Sequence, residues 1–122
     1  MKMRTLFIAN VVVQVLFGLG FLFTPALILG IFGTQTDATG ITLAHVAGGL
    51  ILSLAIIGWL AKDVAAGPMQ DAMIFGFSFA HLLAGIQTLL AILSGTFNAI
   101  AWPVVVMDAF FTVAFLWGRR RI

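Results

Sequence analysis

Long apolar runs broken by short polar segments dominate this sequence. A bilayer core about 30 Å thick is crossed by about 20 apolar residues in an α-helix. Four stretches reach this length, at residues 5–23, 41–61, 71–93 and 99–118. Turn-forming residues separate them, such as Thr24-Pro25 after the first stretch. The pattern predicts an all-α, polytopic membrane protein, in which residues 1–122 form a single domain, an antiparallel bundle of four transmembrane helices.

Two segments between the spans carry helix-start signals. Residues 26–32 are apolar and follow Thr24-Pro25, which predicts a short helix at the outer interface with Thr24 as its cap and Pro25 at its first position. Asn98 is expected to cap the fourth helix, and Pro103, just past the first turn, is expected to bend it.

The composition agrees with a membrane location. Of the 122 residues, 62% are hydrophobic, against roughly half in an ordinary soluble domain. A chain of this size cannot bury so much apolar surface in its own core, so we expect the lipid bilayer to cover it. The chain has no cysteine, which excludes disulfides, thiolate metal sites and cysteine nucleophiles.

The basic residues indicate an orientation. All six lie in short clusters beside the apolar runs, namely Lys2, Arg4, Lys62, Arg119, Arg120 and Arg121. With four spans both termini share one side, and placing them in the cytoplasm puts every basic residue there, as the positive-inside rule requires. We therefore expect a multi-pass protein of the cell (inner) membrane with both termini cytoplasmic. Clusters of this kind also argue against a nucleic-acid partner, which requires a continuous basic surface.

Three polar residues within the spans are candidates for a functional site. Asp108 costs about 2.5–3.5 kcal/mol at the centre of a span, so we expect it to have a use. At 1.5 Å per residue, His81 and Gln14 reach a similar depth. Gln14 belongs to a stripe with Asn10 and Gly18. We predict a midplane polar cluster of Asp108, His81 and Gln14, with His81 and Asp108 as its charged or proton-sharing pair.

The second histidine, His45, lies closer to the outer boundary and allows two interpretations. It is either a polar residue hydrogen-bonded to a neighbouring helix or a cofactor ligand. As a ligand it would hold a b-type haem together with His81, or each histidine would singly hold the magnesium of a chlorophyll-type pigment. Their depths differ by about 8 Å, which weighs against a shared haem. Apart from this alternative, we predict no cofactor and no metal site. Motifs for nucleophilic catalysis, zinc binding or phosphate binding are absent from the sequence, so no catalytic residue is predicted.

Several boundary motifs resemble a group of uncharacterised small bacterial four-helix integral membrane proteins. They are Leu22-Phe23-Thr24-Pro25, Phe32-Gly33, Trp59-Leu60-Ala61-Lys62-Asp63, and Gly95-x-x-Asn98 with Trp102. The resemblance implies a bacterial source, a membrane location and a four-helix fold. It also implies a basic residue at the position of His45, so His45 departs from that pattern.

These observations favour a non-enzymatic accessory or structural subunit, packed against other transmembrane helices in a larger complex or a homo-oligomer. Soluble surface is minimal, and small residues such as Gly76, Ala80 and Ala84 offer a contact face. One alternative is a small proton- or cation-coupled carrier that uses His81 and Asp108. The other is a haem b or pigment binder that uses His45 and His81.

Overall fold

A computed structural model describes residues 1–119 of the chain. These residues form helices and contain no strand, so the predicted all-helical class is confirmed. The helices are α1 (Met3–Phe23), α2 (Pro25–Ile31), α3 (Ala38–Ala61), α4 (Pro68–Leu93) and α5 (Trp102–Arg119), the last preceded by a 3-10 turn (Ala99–Ala101). Arg120 and Arg121 of the predicted basic cluster lie outside the described residues.

Within residues 1–119, four helical segments are long and apolar enough to cross a membrane. They are α1, α3, α4, and α5 together with its 3-10 turn, which supports a multi-pass membrane protein. The first three begin two or three residues before the predicted starts. One cause is Asp37, whose carboxylate accepts a hydrogen bond from the Gly40 amide at 2.9 Å and caps α3. Another is Pro68, which occupies the first turn of α4, where no amide donor is needed.

The short helix after the first span is also present, but its start differs from the prediction. Thr24 precedes α2, yet its hydroxyl donates to the Gly20 carbonyl at 3.0 Å and makes no capping bond to α2. The hydroxyl thus completes the end of α1.

Asn98 caps the turn that leads into α5. Its side-chain oxygen accepts from the Ile100 amide at 3.0 Å. Pro103 is the second residue of α5, where it removes no helical hydrogen bond. The chain changes from 3-10 to α geometry at Trp102.

The long helices pack as two close pairs. In the first pair, α1 and α3 touch through their backbones at Gly48, where an added Cβ would lie 2.8 Å from the Gly18 carbonyl oxygen and closer still to the Leu22 amide nitrogen. In the second pair, Arg119 of α5 donates two hydrogen bonds to Asp71 of α4, at 2.9 and 3.2 Å. Contacts between the two pairs are sparser than those within them.

Where the pairs do meet tightly, aromatic side chains fill the contact. Phe7, Phe77 and Phe115 form a cluster with ring centroids 5.1–5.8 Å apart. Phe7 and Phe115 are completely buried. This cluster lies toward the end of the molecule where α1 begins and α5 ends, so the core is concentrated in one half of the protein.

Ion pairs join the helix ends at that same end. Arg4 donates to Asp63 at 3.0 Å, and Lys62 also donates to the Asp63 carboxylate. The Lys62 ammonium and then the Arg4 guanidinium hold the pKa of Asp63 below its usual value. With the Arg119–Asp71 pair, these contacts place the basic residues of the described chain at one end of the molecule.

The Gly48→Ala variant is expected to lose about 1–3 kcal/mol of stability, because the added methyl group has only backbone atoms to displace. Thermal unfolding of the purified protein in detergent measures this loss. Gly49→Ala is the matched control, since open space surrounds that position and alanine favours a helix. Equal unfolding temperatures for the two variants would contradict the close approach of α1 and α3.

The lowered pKa of Asp63 predicts the direction in which the stability of the fold changes with pH. Because its pKa is lowered from 3.8, the ionised carboxylate stabilises the fold above that pH, and the contribution is lost as the pH falls through the folded value. We expect Asp63→Asn to unfold slightly earlier than the unmodified chain at neutral pH, since exposed ion pairs contribute little. Unfolding scans from pH 7 to about pH 2 should show this difference shrink as the pH falls below 3.8. If the stability difference between Asp63→Asn and the unmodified chain stays constant across this pH range, it does not come from the ionisation of Asp63.

Candidate functional site

A hydrogen-bonded polar network lies where the two helix pairs face each other. His81 in the middle of α4 and Asp108 of α5 are 7% and 3% exposed. The His81 Nδ1 atom lies 2.7 Å from Asp108 Oδ1. The structure thus brings together the two residues that the sequence analysis paired.

The other nitrogen of the His81 ring also faces an oxygen. Nε2 lies 2.6 Å from the side-chain oxygen of Asn10, which is completely buried in α1. Carboxylate and amide oxygens accept hydrogen bonds, so both ring nitrogens donate when His81 is an imidazolium. The ring also stacks on Phe111 with centroids 4.8 Å apart, a favourable position for a cation. The geometry is that of a buried histidine–carboxyl pair in which both ring nitrogens face oxygen atoms.

Gln14, the third predicted member, lies in the same region but makes a different contribution. It is buried, and its Oε1 atom has no hydrogen-bond donor among residues 1–119. Asn10, one turn earlier on the same stripe, is the residue of α1 that contacts His81. In the sequence, the spacing of four residues between Asn10 and Gln14 is the signal that could have identified Asn10. An estimate of depth along the helix does not distinguish two residues that lie one turn apart.

Small residues make room for the network. An added Cβ at Gly85 of α4 would lie 3.1 Å from the Asp108 Cβ, so this glycine lets α5 approach α4 beside the pair. One turn further along α5, the Thr112 hydroxyl donates to the Asp108 backbone carbonyl at 2.8 Å, within the same helix. The Asp108 side chain is therefore positioned by the close approach of α4 and α5 at Gly85 as well as by His81.

The polar network forms part of the wall of a cavity of about 210 Å³. His81, Asp108 and Gln14 supply polar atoms, whereas most of the remaining wall is apolar. The cavity is lined by all four long helices and also by Phe32 and Phe97, which follow α2 and α4. It therefore extends from the pair toward the end of the molecule opposite the ion pairs. At the other end, the aromatic cluster of Phe7, Phe77 and Phe115 fills the space between the helices.

His45 lies elsewhere. It is exposed on α3, and its Nδ1 atom donates to the Leu22 carbonyl at 2.5 Å. Leu22 is next to last in α1, where carbonyls lack helical partners, so His45 completes the end of that helix. The structure does not bring His45 and His81 into one site, and both ring nitrogens of His81 face side-chain oxygens. This arrangement does not fit a haem held between the two imidazoles.

A double-mutant cycle tests the coupling of the pair. Asp108→Asn removes the carboxylate that pairs with the buried His81 and is expected to lose about 3–5 kcal/mol of stability. His81→Gln added to Asp108→Asn should cost less than the sum of the single changes, with a coupling of about 1–3 kcal/mol. Unfolding in detergent is the measurement, and Ser53→Ala, an exposed hydroxyl bonded within its own helix, is the control. Strict additivity would show that the two groups do not interact.

Comparisons with family models, with curated proteins and with solved structures give no match for this chain. Among residues 1–119, no group of three or more histidine, cysteine or acidic side chains is placed to hold a metal ion. The function is therefore argued from the polar pair and its cavity, since a helical fold alone does not imply an activity.

Proposed function

We propose that this chain is a small proton-coupled carrier, with His81 and Asp108 as its proton-exchanging pair. One observation carries the proposal: a buried, hydrogen-bonded His–Asp pair forms part of the wall of an interior cavity. Ionisable groups inside membrane spans are costly and commonly mark proton or substrate pathways. A purely structural contact between α4 and α5 needs neither the charges nor the cavity.

The net charge of the His81–Asp108 pair supports coupling between the release of a proton and the binding of another positive charge. With the proton on His81, the imidazolium and the carboxylate form a neutral pair whose ring nitrogens both have acceptors. Without that proton, the site carries one negative charge in a region of low dielectric, which is unfavourable. Release of the proton is therefore favoured when another positive charge takes its place. This exchange is the elementary step of a proton-coupled carrier.

The packing supports access from one side at a time. The cavity reaches the pair from one end, whereas the aromatic cluster around Phe7 closes the other. The α1–α3 and α4–α5 pairs are close internally and more loosely joined to each other, so they could move as two units. Carriers commonly place their site between two such units and alternate its exposure by rocking. Since four helices are few for a pathway, we propose that the carrier works as a homo-oligomer.

The proposal includes an arrangement in the membrane. An antiparallel four-helix bundle is supported by the contacts, because residue numbers rise along one helix as they fall along its partner, as in Asp71–Arg119 and His81–Asp108. The basic residues gathered at one end support placing both termini in the cytoplasm of a bacterial inner membrane. In this orientation α2 lies at the outer interface.

Proton movement in proteoliposomes tests the carrier. Vesicles loaded with a pH-sensitive dye are offered, in turn, permanently charged organic cations, carboxylates and neutral solutes from outside. At least one solute should drive a change of internal pH that protein-free vesicles do not show. Asp108→Asn combined with His81→Gln should abolish this change, because no group is left to exchange the proton.

Ser53→Ala is the matched control, since its hydroxyl lies in a span but outside the cavity lining. It should retain the proton movement. Equal movement in the double variant would remove His81 and Asp108 from the mechanism. Absence of movement with every solute would contradict the carrier itself.

The accessory-subunit prediction has one observation in its favour. α3 buries few of its residues against the rest of the chain, so much of its apolar surface is open to lipid or to another helix. Purification from native membranes in mild detergent tests this second candidate. Co-purification with a fixed larger complex would support it, whereas isolation of the chain alone or with copies of itself would count against it.

A further inference from the structure

We propose that the cavity binds a small organic ammonium ion with a single aromatic ring or an apolar group of similar size, in exchange for the proton of the pair. This inference rests on the proposed carrier function and names its substrate class. It depends on three observations: the size and lining of the cavity, an unpaired buried acceptor, and the His81–Asp108 pair in the cavity wall.

The cavity has the size and the lining for one apolar ring. Its volume of about 210 Å³ is somewhat larger than the cavity of about 150 Å³ that holds benzene in an engineered protein. Four phenylalanine side chains contribute to the wall: Phe17, Phe21, Phe32 and Phe97. Aromatic faces attract cations as well as apolar groups. A ring with a short cationic side chain therefore suits the space.

The polar part of the wall offers oxygen acceptors to such a ligand. Gln14 is 6% exposed, and its Oε1 atom is buried without a donor among the described residues. The Asp108 carboxylate lines the same cavity. Thr88 also lines it, but its hydroxyl already donates to the Ala84 carbonyl at 2.9 Å. A buried acceptor without a donor is costly, and an ammonium group would supply donors to Gln14 and to Asp108 together.

Charges elsewhere in the described chain favour a cation as well. At the site, α4 contributes His81 and α5 contributes Asp108. The side chains from α1 are the neutral Gln14 and Asn10, and the residues of α3 in the cavity wall are aliphatic. The cavity extends toward the end away from Arg4, Lys62 and Arg119. This route therefore leads away from Arg4, Lys62 and Arg119, and His45, which lies toward the same end as the cavity, is bonded to the Leu22 carbonyl.

The exchange balances in charge. The ammonium ion enters with one positive charge and pairs with the Asp108 carboxylate, and the proton leaves His81. The ring then keeps one N–H, and the site is neutral before and after the exchange. No covalent bond of the ligand forms or breaks.

Calorimetric titration with 2-phenylethylammonium, on the full chain in nanodiscs, tests this inference. Repeating the titration in buffers of different ionisation enthalpy counts the protons released, which should be about one per bound ion at neutral pH. The neutral analogue 2-phenylethanol should bind at least about tenfold more weakly and release no proton, since it replaces no charge.

Variants assign the binding to the cavity. Gln14→Leu should weaken binding of the ammonium ion about tenfold without changing the proton count, because one charge-assisted hydrogen bond is lost. Asp108→Asn should abolish both binding and proton release. If Asp108→Asn does not fold, Ala80→Phe, which fills the cavity wall, should block binding instead. Leu50→Ala, an exposed apolar position on α3, is the control for partition into lipid and should bind as the unmodified chain does.

The outcomes separate this inference from the carrier proposal. Equal binding of 2-phenylethanol and of the ammonium ion, binding without proton release, or binding unchanged by Gln14→Leu and Ala80→Phe would overturn the ligand class. Binding with proton release but no proton movement in proteoliposomes would support the site and contradict the carrier. Proton movement with other solutes and no binding of 2-phenylethylammonium would support the carrier and contradict the ligand class.

Discussion

The hydrogen-bonded pair of His81 and Asp108 is the interaction on which the rest of this structure depends. Few charges occur in the chain, and these two polar groups lie near the middle of their helices and are almost fully buried. Buried polar groups need hydrogen-bond partners, so His81 and Asp108 pair with each other, and His81 also with Asn10. The pair therefore fixes how α4 and α5 face each other and which side of α1 faces both.

The helix pairs pack differently on the two sides of the His81–Asp108 pair. Toward the end with the ion pairs, phenylalanine side chains pack against one another between the helix pairs. Toward the other end, the helix pairs separate enough to leave a cavity whose wall includes His81 and Asp108. A difference in packing thus places tightly packed aromatic side chains on one side of the pair and a cavity on the other. The proposed carrier function depends on this asymmetry as well as on the pair itself.

Much of this architecture follows from the sequence, because the membrane restricts the choices. Apolar runs locate the spans, and the ends of α1 and α3 at Phe23 and Ala61 agree with the predicted limits. Helix starts are less accurate, since they depend on local caps such as Asp37. Depth along each helix was enough to pair His81 with Asp108. It was not enough to choose Asn10 over Gln14 as the contact of His81, because the two residues lie one turn apart on the same face of α1. The position of α1 along its axis is set by its close packing against α3 at Gly48. The cavity had no sequence signal, since it arises where two helix pairs fail to meet.

The protonation state of His81 is the most direct test of this account. Nitrogen-15 NMR of histidine-labelled protein in nanodiscs reports whether each ring nitrogen carries a proton, and a His45→Gln variant leaves His81 as the only labelled residue. The account predicts that at neutral pH both nitrogens of His81 are protonated, and that Asp108→Asn removes one of these protons. A neutral imidazole with one bare nitrogen in the unmodified chain would contradict the ion pair, and with it the proton exchange that the carrier requires.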